Sequence, residues 1–305
     1  MHFELQPRGP FSLSLETSFF GGWASMSGDS DRVVMAMPVE SAPGAWNSSA
    51  AVVMSQRDDG MIVGDVVGED ASAAWRQAQA ALSLDFDGTG YPAVGDRDPA
   101  VGTLQREYGM LRPVCFHSPY EAAAAFVIGH RISMAQQRAL RQRLAAEHGD
   151  ALTVGGQTLH AFPRPEVLLE LDSFGAIAGE KMERLRGIAE AALAGRLDRE
   201  RLRSMDVEEA QQDLRALRGV GEFIAAGIVL RGAGMMDAVP RDDVTRQAVQ
   251  YVYDLPAEPS YDDMLKRAEA WRPYRMWVSV LLHAHFRRTA PSPRPTGRGS
   301  RSPRR

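Results

Sequence analysis

The sequence predicts an α+β fold: an N-terminal α+β domain built on an antiparallel sheet, then an all-α domain, then a disordered basic tail. Three observations carry this. The first third consists of short runs rich in β-branched and aromatic residues, bounded by Gly, Asp, Ser and Pro. From Pro119 onward, apolar residues recur every three or four positions. From Thr289 the chain is almost wholly Pro, Ser, Gly and Arg, which cannot bury a core. The expected boundaries are 1–108, 109–288 and 289–305.

The elements follow in order. Residues 11–20 (FSLSLETSFF), 33–40 (VVMAMPVE), 50–56 (AAVVMSQ) and 61–68 (MIVGDVVG) read as strands. Between the last two, Arg57-Asp58-Asp59-Gly60 is a hairpin signal, because Asp-Gly reaches positive φ cheaply. A helix is expected over Ser72–Leu82. Glycines, prolines and aspartates between Asp85 and Pro99 predict a linker. The helical region divides into Tyr120–Arg131 and Ser133–Glu147, with Val154-Gly155-Gly156 as a turn. Further helices are expected at Pro165–Leu171, Glu180–Ala194, Asp198–Met205 and Val207–Leu217. The apolar stripe of the last is Val207, Ala210, Leu214 and Leu217. Helices near Asp243–Tyr253 and Tyr261–Phe286 complete the set, the second divided at Pro273.

Composition narrows the function classes. With 305 residues, 44% of them hydrophobic and 24% charged, the chain is globular and long enough for two domains. No apolar stretch is long enough to span a bilayer, and Met1–Phe11 lacks the pattern of a secretory leader. The single Cys115, expected to be a small buried residue, excludes an internal disulfide and any cluster held by several thiolates. The net charge of −4 hides a gradient: −9 over residues 1–108, 0 over 109–288 and +5 in the tail. A polyanion would therefore bind through the middle of the chain and the tail. Only Lys181 and Lys266 are lysines, so lysine chemistry has two candidates.

The informative stretch is Asp213–Gln250. Leu217-Arg218-Gly219-Val220-Gly221 separates two helices. Glycines one residue apart permit a tight turn and close backbone approach. Their N–H groups, with the start of the next helix, form an anion site suited to a phosphate. Leu217, Val220, Ile224 and Ile228 would lock the two helices together. Alone, this pattern is more often a packing turn in an ordinary helical hairpin. About twenty residues on, Pro240 precedes the pair Asp242-Asp243 at a helix start. One carboxylate is an ordinary N-cap; the other can face a cleft.

Taken together, these segments resemble the helix-hairpin-helix superfamily of DNA glycosylases with its Gly/Pro-rich loop and aspartate, and within it the 3-methyladenine DNA glycosylase II (AlkA-type) family. Leu217 to Ala225 is similar to the family hairpin, Leu230-Arg231-Gly232 to the segment after it, and Asp237 to Asp243 to the aspartate motif. Phe162-Pro163, Gly179 to Leu185, and Trp271-Arg272-Pro273-Tyr274-Arg275 resemble further family segments. The resemblance covers roughly residues 109–287. It implies a helix-hairpin-helix glycosylase core with Asp243 as the catalytic residue and Asp242 as a cap or neighbour. Gly219, Val220, Gly221 and Arg218 would contact DNA. His130 and Arg131 stand where the family has Gln and an apolar wedge; they are either surface substitutions or DNA contacts. Gly227 stands where an aromatic can occur, which leaves Phe223, Tyr274 and Trp277 as base-pocket candidates, each also a plausible core residue.

The implied activity is monofunctional hydrolysis of the N-glycosidic bond of alkylated purines during base excision repair, with water as nucleophile. The lysine that forms a Schiff base in bifunctional relatives is replaced by Phe223. The resemblance implies no cofactor, save a monovalent cation at the carbonyls of Leu217 and Val220. It implies double-stranded DNA containing damaged bases as partner, a monomer, no membrane, and the bacterial cytosol and nucleoid. The alternative is a non-catalytic or altered-specificity DNA-binding relative that keeps the hairpin. His283 and His285 suggest no site, only packing or surface roles.

Overall fold

The computed structural model describes residues 1–20, 26–29, 32–154 and 156–290. The Arg-rich tail from 291 onward and Gly155 lie outside the described residues.

The N-terminal part contains β1 (His2–Leu5), α1 (Leu13–Phe20), β2 (Met26–Asp29), β3 (Arg32–Val39), β4 (Ser48–Gln56), β5 (Ile62–Gly68) and α2 (Ala71–Ala81). The strands form one antiparallel sheet in the order β1-β5-β4-β3-β2. Gly60 adopts φ 85° in the turn between β4 and β5, as Asp59-Gly60 predicts. One face of the sheet buries Met35, Met37, Val52 and Met54 against Ala74 and Ala78 of α2. On the other face, Val34 and Ala51 are covered by Val154. Burial on both faces explains why β3 reads as a continuous apolar run rather than an alternating one.

Residues 11–20, expected as a strand, instead contain α1. The alternation of Phe11, Leu13 and Leu15 is strand-like, but Ser12 accepts from the Leu15 N–H at 3.3 Å and opens a helix. The helix places Glu16 inside, where its carboxyl accepts the Arg112 backbone N–H at 2.7 Å. Burial pushes the Glu16 carboxyl up to about 8.

The helical part comprises α3 (Val94–Arg97), α4 (Pro99–Tyr108), α5 (Pro119–Gly129), α6 (Met134–His148), β6 (Ala151–Val154), β7 (Gln157–His160), α7 (Pro165–Glu170), α8 (Glu180–Leu193), α9 (Arg199–Arg203), α10 (Val207–Arg215), α11 (Glu222–Gly227), α12 (Asp243–Val252), α13 (Tyr261–Ala268) and α14 (Arg275–Thr289). A π-helical turn, Ile228–Ala233, continues α11. The expectation of an all-helical second part is corrected by the β6–β7 hairpin, whose four-residue strands are too short to reveal an alternation. Residues 85–99 are no linker: Tyr91 and Val94 are fully buried, and α4 packs on α14. Thr289 closes α14 instead of opening the tail.

Two helical cores meet along the chain. The first joins α5, α7, α8, α10 and α11 through Val127, Ile188, Leu214 and Ile224. The second joins residues 91–115 to α12, α13 and α14 through Tyr91, Trp271 and Trp277. Cys115 is buried in the second, as expected. Among the described residues, no helix is long and apolar enough to cross a membrane.

Candidate nucleic-acid interface

The turn between α10 and α11 is anchored from below. Leu217, Val220, Ile224 and Ile228 all enter the first helical core, and the Val220 N–H donates to the Leu217 carbonyl at 3.1 Å. The two glycines do different work. Gly219 adopts φ 80°, and a Cβ there would lie 2.6 Å from the Cγ and Cδ of Arg184. The fold itself therefore requires a glycine. Gly221 has φ −83°, and a Cβ there would meet nothing within 4 Å. No protein atom demands its missing side chain, and the space before it is open. Arg218 is 71% exposed, and its Nη2 lies 2.6 Å from Glu183 Oε2.

A second outward turn follows α5. The Ser133 side chain caps α6 in a reciprocal box with Gln136, fixing the far side of the turn. His130 and Arg131 are exposed at its tip, and Arg131 adopts φ 61°, uncommon for a side chain of its size.

The aspartate pair opens α12. Asp242 is the N-cap: its carboxylate accepts the Thr245 N–H at 2.8 Å and the Thr245 hydroxyl at 3.0 Å. The Thr245 oxygen lies 2.9 Å from His283 Nε2. Since the threonine proton goes to Asp242, His283 must donate from Nε2. Asp243 is the first residue of the helix. Its carboxylate is 84% exposed and lies 3.6 Å from Arg246 Nη1. Arg241 Nη1 reaches Glu222 Oε1 at 3.3 Å, which ties the loop before the pair to the first residue of α11. The structure thus brings the aspartate pair beside the hairpin.

Thr245 was not singled out in the sequence, and His283 was expected only to pack or to lie at the surface. The Asp-x-x-Thr spacing is a legible cap signal, but the histidine arrives from α14 and needs the tertiary fold. His283 is thereby corrected from a packing residue to a partner of the aspartate cap. Burial holds its imidazole down to about 4, with Asp242 opposing and the Arg287 and Arg231 guanidinia adding to the depression. A value below the ordinary 6.5 gives stability that is present above pH 6.5 and lost as pH falls toward 4. The wild type is expected to lose about 2 kcal/mol more than His283→Gln over that interval, measured by denaturant unfolding at each pH. Parallel losses in both proteins would refute this.

The aromatic candidates separate. Phe223 is 68% exposed, edge-on to Phe126 at 6.0 Å. Phe126 explains Gly227: a Cβ there would lie 2.5 Å from the Phe126 ring. The ring that fills the space at Gly227 comes from α5, a neighbour that no sequence pattern marks. Tyr274 and Trp277 are instead buried with Phe86 and Tyr91, and the Tyr274 hydroxyl donates to the Asp87 carbonyl at 2.8 Å. Both serve as core residues here. Asp237, at the start of the aspartate motif, is gripped by Arg272 at 2.6 Å and Arg275 at 2.7 Å. That grip gives the two arginines of the Trp271–Arg275 segment their physical purpose. A cleft of about 910 Å³ lies behind the hairpin, lined by Asp206, Glu222, Asp237, Arg241 and Tyr261. It includes neither Asp243 nor Phe223, so it is not the expected base pocket.

No protein-family model matches the chain. A DNA-3-methyladenine glycosylase of Bacillus subtilis is 25% identical over 206 residues, covering 66% of this chain and 68% of the relative. The solved 3-methyladenine DNA-glycosylase from Archaeoglobus fulgidus superposes with TM-score 0.72 at 21% identity, over 95% of this chain and 99% of that one. The 8-oxoguanine glycosylase/lyase of Clostridium acetobutylicum, solved with double-stranded DNA, superposes with TM-score 0.66 at 19% identity, over 94% and 98% of the two chains.

Proposed function

We infer that this chain, which belongs with the AlkA-type superfamily of DNA glycosylases, is a monofunctional DNA N-glycosylase that removes alkylated purines from duplex DNA. The observation that carries the reading is the pairing of an outward Gly219-Val220-Gly221 turn with an exposed Asp243 carboxylate, joined through the Arg241–Glu222 ion pair. The glycine amides of the turn grip a backbone phosphate without reading sequence. A base in a duplex is out of reach until it is flipped, at a cost of a few kcal/mol that is least for damaged pairs. Arg131 enters the gap the base leaves, and His130 stands beside it.

Chemistry then follows from charge. As the C1′–N bond breaks, its electron pair leaves with the base and positive charge develops on the sugar. The Asp243 carboxylate stabilises that charge; water adds to C1′ and loses its proton. An alkylated purine is already cationic, so it departs without a strong general acid. Phe223 and Phe126 offer it an apolar, aromatic surface.

The Leu217 carbonyl accepts one N–H and keeps a second lone pair, so it and the Val220 carbonyl suit a monovalent cation. Such an ion would add positive charge beside the phosphate.

The test is release of free 3-methyladenine and 7-methylguanine from methylated duplex DNA. Release supports the reading; its absence across alkylated, deaminated and oxidised lesions would leave only the non-catalytic DNA-binding alternative. Phe223 occupies the place of a Schiff-base lysine, and Lys181 is engaged elsewhere. Borohydride is therefore expected to trap no covalent protein–DNA adduct, and the abasic product strand should stay uncut. A trapped adduct would overturn the monofunctional assignment.

A further inference from the structure

The first turns of α8 touch both outward turns at once. Lys181 Nζ donates to the Ile128 carbonyl at 3.0 Å and the His130 carbonyl at 3.2 Å. These are the terminal carbonyls of α5, which helical hydrogen bonding leaves open. A cation there also complements the negative end of the helix. Three residues on, the stem of Arg184 lies under Gly219 of the hairpin, and its Nη2 is held 2.5 Å from Glu180 Oε1. One helix end therefore sets the relative height of the turn carrying Arg131 and the turn carrying the hairpin glycines.

The turn needs such a brace. Arg131 sits at positive φ without a glycine's freedom. On the inner side, a Cβ at Gly129 would lie 2.7 Å from the Gln137 amide nitrogen, so a side chain there would displace that amide. Gln137 itself donates to the Ala125 carbonyl at 2.5 Å. The turn is closed by the Ile132 N–H, which donates to the Gly129 carbonyl at 3.2 Å, and Lys181 ties its outer side to α8.

We propose that Lys181 is a positioning residue for Arg131: by tying the Ile128 and His130 carbonyls to α8, it holds the strained turn so that Arg131 meets the duplex where the base leaves. This rests on the base-flipping reading above. A rare lysine in an arginine-rich chain fits the task. Its compact ammonium can point three donors at converging carbonyls, whereas a planar guanidinium suits a flat, two-pronged partner.

The experiment is a double-mutant cycle of Lys181→Met and Arg131→Ala, with Lys181→Gln in reserve should the first variant fold poorly. Two quantities are read: the single-turnover rate of base release, and affinity for a duplex containing an abasic site against an undamaged duplex. Lys181→Met is expected to slow release about ten-fold and weaken abasic-site binding about five-fold, with undamaged-duplex affinity within about two-fold. In the Arg131→Ala background, Lys181→Met should cost almost nothing further. Lys181→Arg should recover part of the loss. Wild-type release and abasic-site affinity in Lys181→Met, or losses that add fully to those of Arg131→Ala, would overturn the proposal. If the wild type releases no base, the glycosylase reading falls, and the abasic-site affinities still decide the role of Lys181.

Discussion

Asp243→Asn is expected to lower the single-turnover rate of base release by about 10²–10³-fold, with affinity for methylated duplex DNA and thermal stability both unchanged. The substitution removes a negative charge and almost no volume. Its carboxylate is 84% exposed and makes only a 3.6 Å ion pair within its own helix, so the fold has little to lose. On the proposed mechanism the charge matters only when DNA covers it. Once water is excluded, a carboxylate beside a developing cation acts in a low dielectric, where its stabilisation is far larger than at a wet surface. The neighbouring variant supplies the control. Asp242→Ala should cost about 1 kcal/mol of stability, because it removes the N-cap bond to Thr245, yet retain most of the rate. The opposite outcome, with Asp243→Asn near wild type and Asp242→Ala inactive, would shift the catalytic register by one residue.

The hairpin glycines are expected to part company in the same way. Gly219→Ala places a methyl group 2.6 Å from the Arg184 stem at φ 80°. It should destabilise the protein by roughly 1–2 kcal/mol and distort the turn. Duplex affinity should fall at least about ten-fold on any sequence. Gly221→Ala meets no protein atom and has an ordinary φ, so its melting temperature should match the wild type. Its affinity should nevertheless fall several-fold, about 1 kcal/mol, if a phosphate occupies the space before it. Electrophoretic mobility shifts at fixed salt read both, since the phosphate contribution depends on ionic strength. A Gly221→Ala protein that binds duplex DNA as the wild type does would remove the phosphate grip from the account.

Much of the fold was legible because local and global preferences agree. The stripe Val207, Ala210, Leu214 and Leu217 forecasts a helix whose buried face the structure places in the first helical core. Arg57 to Gly60 forecasts its hairpin. Agreement fails where a tertiary partner outweighs the local pattern. Residues 11–20 alternate like a strand but fold as α1, with Glu16 buried on Arg112, 96 positions away. Residues 85–99 have a linker's composition, yet Tyr91 meets Trp277 at 4.9 Å and is wholly buried. Turn-rich sequence marks irregular backbone, not exposure.

The site divides along the same line. The sequence by itself singled out the residues proposed to carry the chemistry: the two glycines, the aspartate pair, Phe223, and only two lysines in all. These are properties of spacing and residue type, which a chain carries whether or not it is folded. Only the tertiary structure decided what each one faces. It showed that Gly219 is required by Arg184 and Gly221 by nothing in the protein, and that Asp242 turns inward to Thr245 while Asp243 turns out. It moved Tyr274 and Trp277 into the core, put the Phe126 ring into the space at Gly227, and gave Lys181 two carbonyls to hold. The physical reason is that burial and hydrogen bonding depend on neighbours distant in sequence, and no local period records which neighbours those will be.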